Sequence, residues 1–256
     1  IINVGGGAGT AATADAHQEF SGVVSGAEIL KKTGKGKLTL TGSNTNSAGV
    51  IISKFTDDNS QARDGGILVA GHANALGSGT TTIEHGKLAV AGGISVTNTI
   101  QGQATNGTDQ KSVVGGGVGN SVGTITNNGA ILNIGDGNGE IDLVSPGVAL
   151  ASSMTNGTND NQVIAGNHND SGVDTLANSI GTMKINNVGL KGGGVFDWEI
   201  TNFAGNNSAG ADWDVLQFDD LTFDGSGNFD INVFSVASNG SGGATSNFSP
   251  ANKLGT

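Results

Sequence analysis

Short runs of alternating apolar and polar residues recur along the chain, and several begin just after a glycine. Gly36 precedes Leu38 and Leu40, and Gly66 and Gly86 open two similar runs. Alternation with a period of two is typical of a β-strand that buries one face. The runs start again after roughly 20 to 30 residues, the spacing expected for the coils of a solenoid. The pattern therefore predicts an all-β fold made of stacked coils.

The same pattern divides the chain into segments. Residues 1–34 are predicted to form an N-terminal segment with a first, irregular coil, and residues 35–190 to form the repeated coils, with loop insertions near 102–119 and 154–174. Residues 191–238 contain both tryptophans and most of the 9 phenylalanines. They predict an aromatic-rich C-terminal β cap, with a turn at residues 224–228, because solenoids need atypical end repeats. Residues 239–256 are expected to be a mobile tail.

Composition narrows the possible functions. The charged fraction is 13% and the formal net charge is −11. A chain without a basic surface is a poor ligand for nucleic acid and for anionic membranes, so neither partner is expected. The chain has 46 glycines and no cysteine, which excludes disulfides and thiolate metal sites. A neutral surface of Asn, Thr, Ser and Gly is common among extracellular proteins.

Three segments of the chain resemble a known repeat family. They are residues 36–45, Gly-Lys-Leu-Thr-Leu-Thr-Gly-Ser-Asn-Thr, residues 73–80, Ala-Asn-Ala-Leu-Gly-Ser-Gly-Thr, and residues 83–88, Ile-Glu-His-Gly-Lys-Leu. This pattern resembles the autotransporter-associated β-strand repeat of bacterial secreted and surface proteins. The resemblance implies a right-handed parallel β-helix at an extracellular or cell-surface location. Trp198 and the run Trp213-Asp-Val-Leu216 are similar to the C-terminal region of the same repeat proteins.

The sequence contains no clear group of catalytic residues. The four histidines are scattered along the chain, and Arg63 is its single arginine. Parallel β-helix lyases and hydrolases act on polysaccharides with clustered carboxylates and basic side chains on one face. A carbohydrate lyase is therefore a third-ranked hypothesis, and the chain is predicted not to be an enzyme.

One glycine-rich turn is a weak candidate for calcium. Asp136, Asn138 and Glu140 place three oxygen-bearing side chains at alternate positions, and calcium binds six to eight hard oxygens. The alternative is an Asx-turn stabilised by its own side chains. A second group of acids, Asp212, Asp214, Asp219, Asp220 and Asp224, lies near the C-terminal turn. No other metal or cofactor is predicted.

The ends of a stacked-coil protein must be covered or offered to a partner. Ile1, Ile2 and Val4 form a short apolar strand that could cover this chain's own edge or dock on a neighbour. Phe229, Ile231 and Val233 are the candidate acceptor edge. The sequence therefore suggests a non-enzymatic extracellular structural protein that associates with copies of itself into a fibre, sheath or matrix.

The alternative is an adhesin or glycan-binding passenger, in which the predicted loops at 102–119 and 154–174 contact surface glycans. Asparagines inside the coils are expected to form hydrogen-bonded ladders along the stack rather than binding sites.

Overall fold

The protein is described from a computed structural model. It describes residues 2–3, 17–34, 36–53, 55–56, 62–63, 65–103, 112–118, 120–135, 139–148, 180–202, 209–210, 212–225 and 227–235. The predicted loop at 154–174 and the predicted tail at 239–256 lie outside these residues.

The regular secondary structure of the described residues is almost entirely β-strand, with turns and irregular segments between the strands. The first ten strands are β1 (Ile2–Asn3), β2 (His17–Phe20), β3 (Leu30–Thr33), β4 (Lys37–Leu40), β5 (Val50–Ile52), β6 (Phe55–Thr56), β7 (Ala62–Arg63), β8 (Ile67–Ala70), β9 (Thr81–Ile83) and β10 (Gly86–Val90). The others are β11 (Ser95–Val96), β12 (Ile100–Gly102), β13 (Ser112–Gly116), β14 (Val122–Ile125), β15 (Leu132–Ile134), β16 (Leu143–Val144), β17 (Thr182–Leu190), β18 (Val195–Ile200), β19 (Val215–Phe223) and β20 (Asp230–Ser235). A single 3-10 turn, Asn127–Gly129, lies between β14 and β15. The all-β prediction is confirmed for the described residues.

The strands form three parallel sheets that the chain visits in turn. Sheet A has the order β1-β3-β5-β9-β12, and sheet B has the order β2-β4-β8-β10-β13-β16-β18-β20. Sheet C has the order β11-β14-β17-β15, with β19 also paired to β17. The short strands β6 and β7 pair antiparallel, outside these three sheets. Strands that follow one another in the chain lie in different sheets almost throughout, so most sheet neighbours come from successive passages of the chain.

The glycine-introduced runs are strands in register with one another. Leu38 pairs with Leu68, and Leu68 pairs with Leu88. All three leucines are at most 1% exposed and belong to one core cluster. Repetition of the pattern therefore places equivalent side chains directly above one another, because parallel in-register pairing keeps alternate residues on the same face.

The loop predicted at 102–119 is wrong over residues 112–116, which form β13 in the middle of sheet B. All five residues are buried, and Val114 contributes to the core. The glycines have a packing role here. A Cβ on Gly115 would lie 2.1 Å from the Ser145 carbonyl oxygen and 2.4 Å from the Lys87 side chain. Gly115 therefore leaves room for its neighbours rather than marking a loop.

The C-terminal strands are longer than those of the repeats. Strands β17 and β19 have nine residues each, and β18 and β20 have six. Residues 224–229 join β19 to β20, but these two strands do not form a hairpin. β19 pairs parallel with β17 and β20 pairs parallel with β18, so the intervening segment crosses between two sheets.

Buried asparagines link successive passages, which confirms the predicted ladders. The Asn44 side chain accepts the Val24 N–H at 2.7 Å and donates to the Ala75 carbonyl at 2.6 Å. Asn98 donates to the carbonyls of Gly77 and Gly79, at 3.0 and 2.9 Å. Each amide satisfies backbone groups that a turn would otherwise bury without partners.

Within the described residues, no helix has the length and apolar character needed to cross a membrane.

Candidate functional site

Strands β19 and β20 are the last members of sheets C and B. Among the described strands, β19 pairs only with β17 and β20 pairs only with β18. The outer edge of such a strand presents backbone N–H and C=O groups that can pair with another chain. We call these two outer edges the carboxyl-terminal edge.

On β19, the side chains of the core column become exposed. Phe218 and Phe223 are in register with Ile185 and Leu190 of β17. Ile185 is fully buried, whereas Phe218 is 42% and Phe223 is 72% exposed. The two phenylalanines thus occupy core-facing positions in a strand that no further described strand covers.

Strand β20 carries the residues predicted as an acceptor edge. Ile231 is in register with Phe196, which packs on the core, and Val233 is in register with Trp198. Ile231 is 62% and Val233 is 61% exposed. Phe229, just before the strand, is half-buried against the core and anchors it. The structure therefore brings Phe218, Phe223, Ile231 and Val233 to the same end of the described sheets.

At the other end, Ile2 lies in a sheet of its own chain. In β1 it pairs with Lys32 of β3 and is half-buried against the core. Ile1 and Val4 lie outside the described residues. Sheet B begins at β2, where Gln18 and Glu19 are exposed and Phe20 is 39% exposed. We call the outer edge of β2 the amino-terminal edge.

The calcium candidate is described only at Glu140. Its carboxylate accepts a hydrogen bond from the Lys191 ammonium at 2.5 Å, and this bond raises the pKa of Lys191. Asp136 and Asn138 lie outside the described residues. Of the other acids, Asp219 pairs with Lys184 at 2.7 Å. No group of three His, Cys, Asp or Glu side chains in the described part of the chain is placed to hold a metal ion.

A buried ionic cluster lies on the face of sheet B opposite the core. Lys87, Asp197, Glu199 and Asp214 are each at most 2% exposed. Asp214 accepts hydrogen bonds from the backbone N–H of Gly181 at 2.9 Å and from that of Glu199 at 3.0 Å. Asp214 therefore ties the start of β17 to β18.

Asp197 accepts a hydrogen bond at 2.9 Å from Asn232 of β20. The cluster therefore also contacts β20, the strand whose outer edge is part of the carboxyl-terminal edge.

Burial raises the pKa of Asp214 well above its ordinary value, and the nearby Glu199 raises it further. The two backbone hydrogen bonds and the charge of Lys87 act in the opposite direction. A carboxyl with a raised pKa is a common feature of catalytic sites. Here both oxygens of Asp214 are held by backbone amides and the side chain is 2% exposed, an arrangement suited to fastening strands rather than to binding substrate.

A second buried cation, Lys32, sits in the core column of sheet A. It is in register with Ile52, and its Nζ donates to the carbonyls of Gly34, Gly36 and Gly65 at 2.5 to 2.7 Å. Three acceptors compensate for the loss of hydration that burial imposes on the ammonium group. This contact joins segments 33 residues apart.

Sequence analysis missed both buried clusters, although signals for them exist. Lys32 follows Leu30 at a two-residue interval, which places both on the inward face of the same strand. Asp214 directly follows Trp213, in the run Trp-Asp-Val-Leu. The indole N–H of Trp198 donates to the Asp214 carbonyl oxygen at 2.9 Å, so the segments that contain the two tryptophans are in contact.

Comparisons with family models, curated proteins and solved structures give no match for this chain.

Proposed function

We propose that this chain is a non-enzymatic structural subunit that associates with copies of itself by strand pairing at the ends of a right-handed parallel β-helix. The observation that carries the proposal is the carboxyl-terminal edge, where no further described strand pairs and where Phe223, Ile231 and Val233 are each more than 60% exposed. Exposed apolar residues on an edge strand are a template for association.

The β-helix part of the proposal is supported by the order in which the chain visits the sheets. Sheet B receives eight strands, each parallel to its neighbour. The intervening segments pass through sheets A or C and return, as in a coil. Crossover connections between parallel strands are right-handed in about 98% of cases, so the right-handed form is favoured.

An extracellular bacterial location, in a surface fibre, sheath or matrix, is supported by composition and by motif. Only 13% of the residues are charged and none is cysteine. The repeat motifs at residues 36–45, 73–80 and 83–88 resemble those of secreted and surface proteins. Asparagine ladders and buried ammonium groups hold the coils without disulfides, which suits a chain that crosses compartments before folding.

The proposal is tested by measuring self-association of the purified chain with sedimentation velocity and negative-stain electron microscopy. Wild type is expected to form oligomers or filaments as concentration rises. The variant Ile231→Lys/Val233→Lys is expected to remain monomeric, because two ammonium groups would have to be desolvated in any strand pairing at that edge.

The matched control is Ile131→Lys, which changes a 50% exposed isoleucine outside the two terminal strands. It should assemble like wild type. A wild type that stays monomeric at all concentrations would contradict the proposed function. Assembly of the double variant at wild-type concentrations would exclude the β20 edge.

A further inference from the structure

We infer that the partner of the β20 edge is strand β2 of a second copy, so that sheet B continues head to tail from one subunit into the next. This inference depends on the proposed self-association and adds the partner edge and the register. It follows from four features of sheet B: its extent, register, hydrogen-bond pattern and end charges.

Sheet B is the sheet that extends from the first passages of the described chain to the last. Its outermost strands are β2 and β20, and residues at equivalent positions remain in register across all eight strands. One ladder comprises Gln18, Leu38, Leu68, Leu88, Val114, Val144, Phe196 and Ile231. A ninth strand with the same alternation would extend the same ladder.

The backbone hydrogen bonds of sheet B follow one alternation, and its two ends are complementary. Asp230 donates its N–H to Gly194, so Asp230 and Asn232 direct their backbone groups toward β18. The N–H and C=O groups of Ile231 and Val233 then point to the carboxyl-terminal edge, because backbone groups alternate sides along a strand.

At the amino-terminal edge, the Phe20 carbonyl accepts a hydrogen bond from the N–H of Thr41, the residue just after β4 of the same chain. Glu19, the neighbouring residue, therefore directs its backbone groups outward. In register, the Glu19 N–H of a second copy reaches the Ile231 carbonyl, and the Val233 N–H reaches the Glu19 carbonyl. The two edges thus supply matching donors and acceptors.

The same register gives compatible side-chain neighbours. Phe20 of the second copy would lie beside Val233, covering two apolar side chains that are 39% and 61% exposed in one subunit. Gln18 of the second copy would pair with Ile231, and His17 would lie beside Asp230. An imidazole beside a carboxylate is electrostatically compatible at that position.

Charge disfavours pairing between two carboxyl-terminal edges. The exposed acids Asp220, Asp224 and Asp230 lie on or between the two terminal strands. Joining two copies of this end would bring like charges together, which opposes association. A head-to-tail contact pairs different surfaces and repeats without closing, so it generates a filament.

Disulfide trapping tests this arrangement, because the chain has no cysteine of its own. Phe20→Cys and Val233→Cys would be expressed separately as full chains and mixed under mild oxidation. The mixture should give a covalent dimer, whereas each variant alone should not. Adjacent strands lie about 4.8 Å apart, within the Cα separation that a disulfide spans.

The variant carrying both cysteines should give a ladder of covalent oligomers on denaturing gels. A bond within one chain is excluded, because seven strand intervals separate the two positions, about 34 Å. The matched control mixes Ile131→Cys with Val233→Cys and should not cross-link. Circular dichroism would establish that each variant is folded.

The possible failures are distinguishable. If Val233→Cys cross-links alone as fast as in the mixture, the contact joins two carboxyl-terminal edges and the head-to-tail arrangement is wrong. If wild type assembles but no pair cross-links, β2 is not the partner and self-association still stands. If wild type never assembles, the proposed function fails as well.

Discussion

Leu88 and Ile231 occupy the same ladder of sheet B, one in the middle and one at the end. Leu88 has paired strands on both sides and is fully buried, whereas Ile231 has a described strand on one side only and is 62% exposed. Their side chains are alike, and both are in register with core residues. The comparison shows that burial in this fold is set by the number of neighbouring strands rather than by residue type.

The largest expected effect separates these two positions directly. Leu88→Ala should lower the free energy of unfolding by about 3 kcal/mol, because it leaves a cavity in a continuous column. Ile231→Ala should change it by less than about 0.5 kcal/mol in the monomer, because its side chain is mostly hydrated already. Urea denaturation at a concentration below assembly measures both. Equal costs would show that the end of sheet B is covered in solution.

The second prediction makes the same comparison with charged residues. Lys32→Met should lower the free energy of unfolding by about 3 kcal/mol, because three buried carbonyl groups lose their charged hydrogen-bond donor. Lys31→Met, at the preceding and less buried position, is the matched control and should cost a few tenths of a kcal/mol. Urea midpoints measure the difference. A Lys32→Met variant as stable as the Lys31→Met control would mean that the ammonium contributes nothing net.

The smallest expected effect is a change in the pH dependence of stability. Because the pKa of Asp214 is raised in the folded state, its carboxyl is more fully protonated in the folded protein than in the unfolded chain between pH 3.8 and the raised value. The contribution of Asp214 to stability therefore falls as pH rises from 3.8 to the raised value, and is then constant. In thermal melts, the melting temperature of Asp214→Asn should decline less across this pH window than that of wild type.

The control for this measurement is Asp220→Asn, at an exposed position of β19. It should keep the wild-type pH slope. Asp214→Asn loses one carboxylate acceptor, so its absolute melting temperature can also fall, and the slope is the decisive quantity. Identical slopes for Asp214→Asn and wild type would refute the role assigned to the buried carboxyl.

The sequence was sufficient to predict the repeated strands, because the alternation that begins at Gly36, Gly66 and Gly86 is a local property of each run. It also placed Ile231 and Val233 in one strand. It did not predict that β19 and β20 would pair with different sheets, since the choice of partner is made by residues more than thirty positions away.

Two other features were hidden for a related reason. The glycines of β13 are typical of a loop, but Gly115 is required by the close approach of Lys87 in β10 and of Ser145, the residue just after β16. Lys32 is expected at the surface by its charge, and its carbonyl partners become apparent only once turns from separate passages are stacked. Tertiary contacts determine which residue is needed at these two positions, so the local sequence pattern of one strand does not predict it.

The ammonium of Lys32 joins Gly34 and Gly36 to Gly65, and so closes a loop of the chain without a covalent bond. A link of this kind needs no oxidant to form and no isomerase to correct it. Thiol reductants have nothing to cleave in a chain that lacks cysteine. The contacts that hold its coils together therefore do not depend on the redox state of the surroundings.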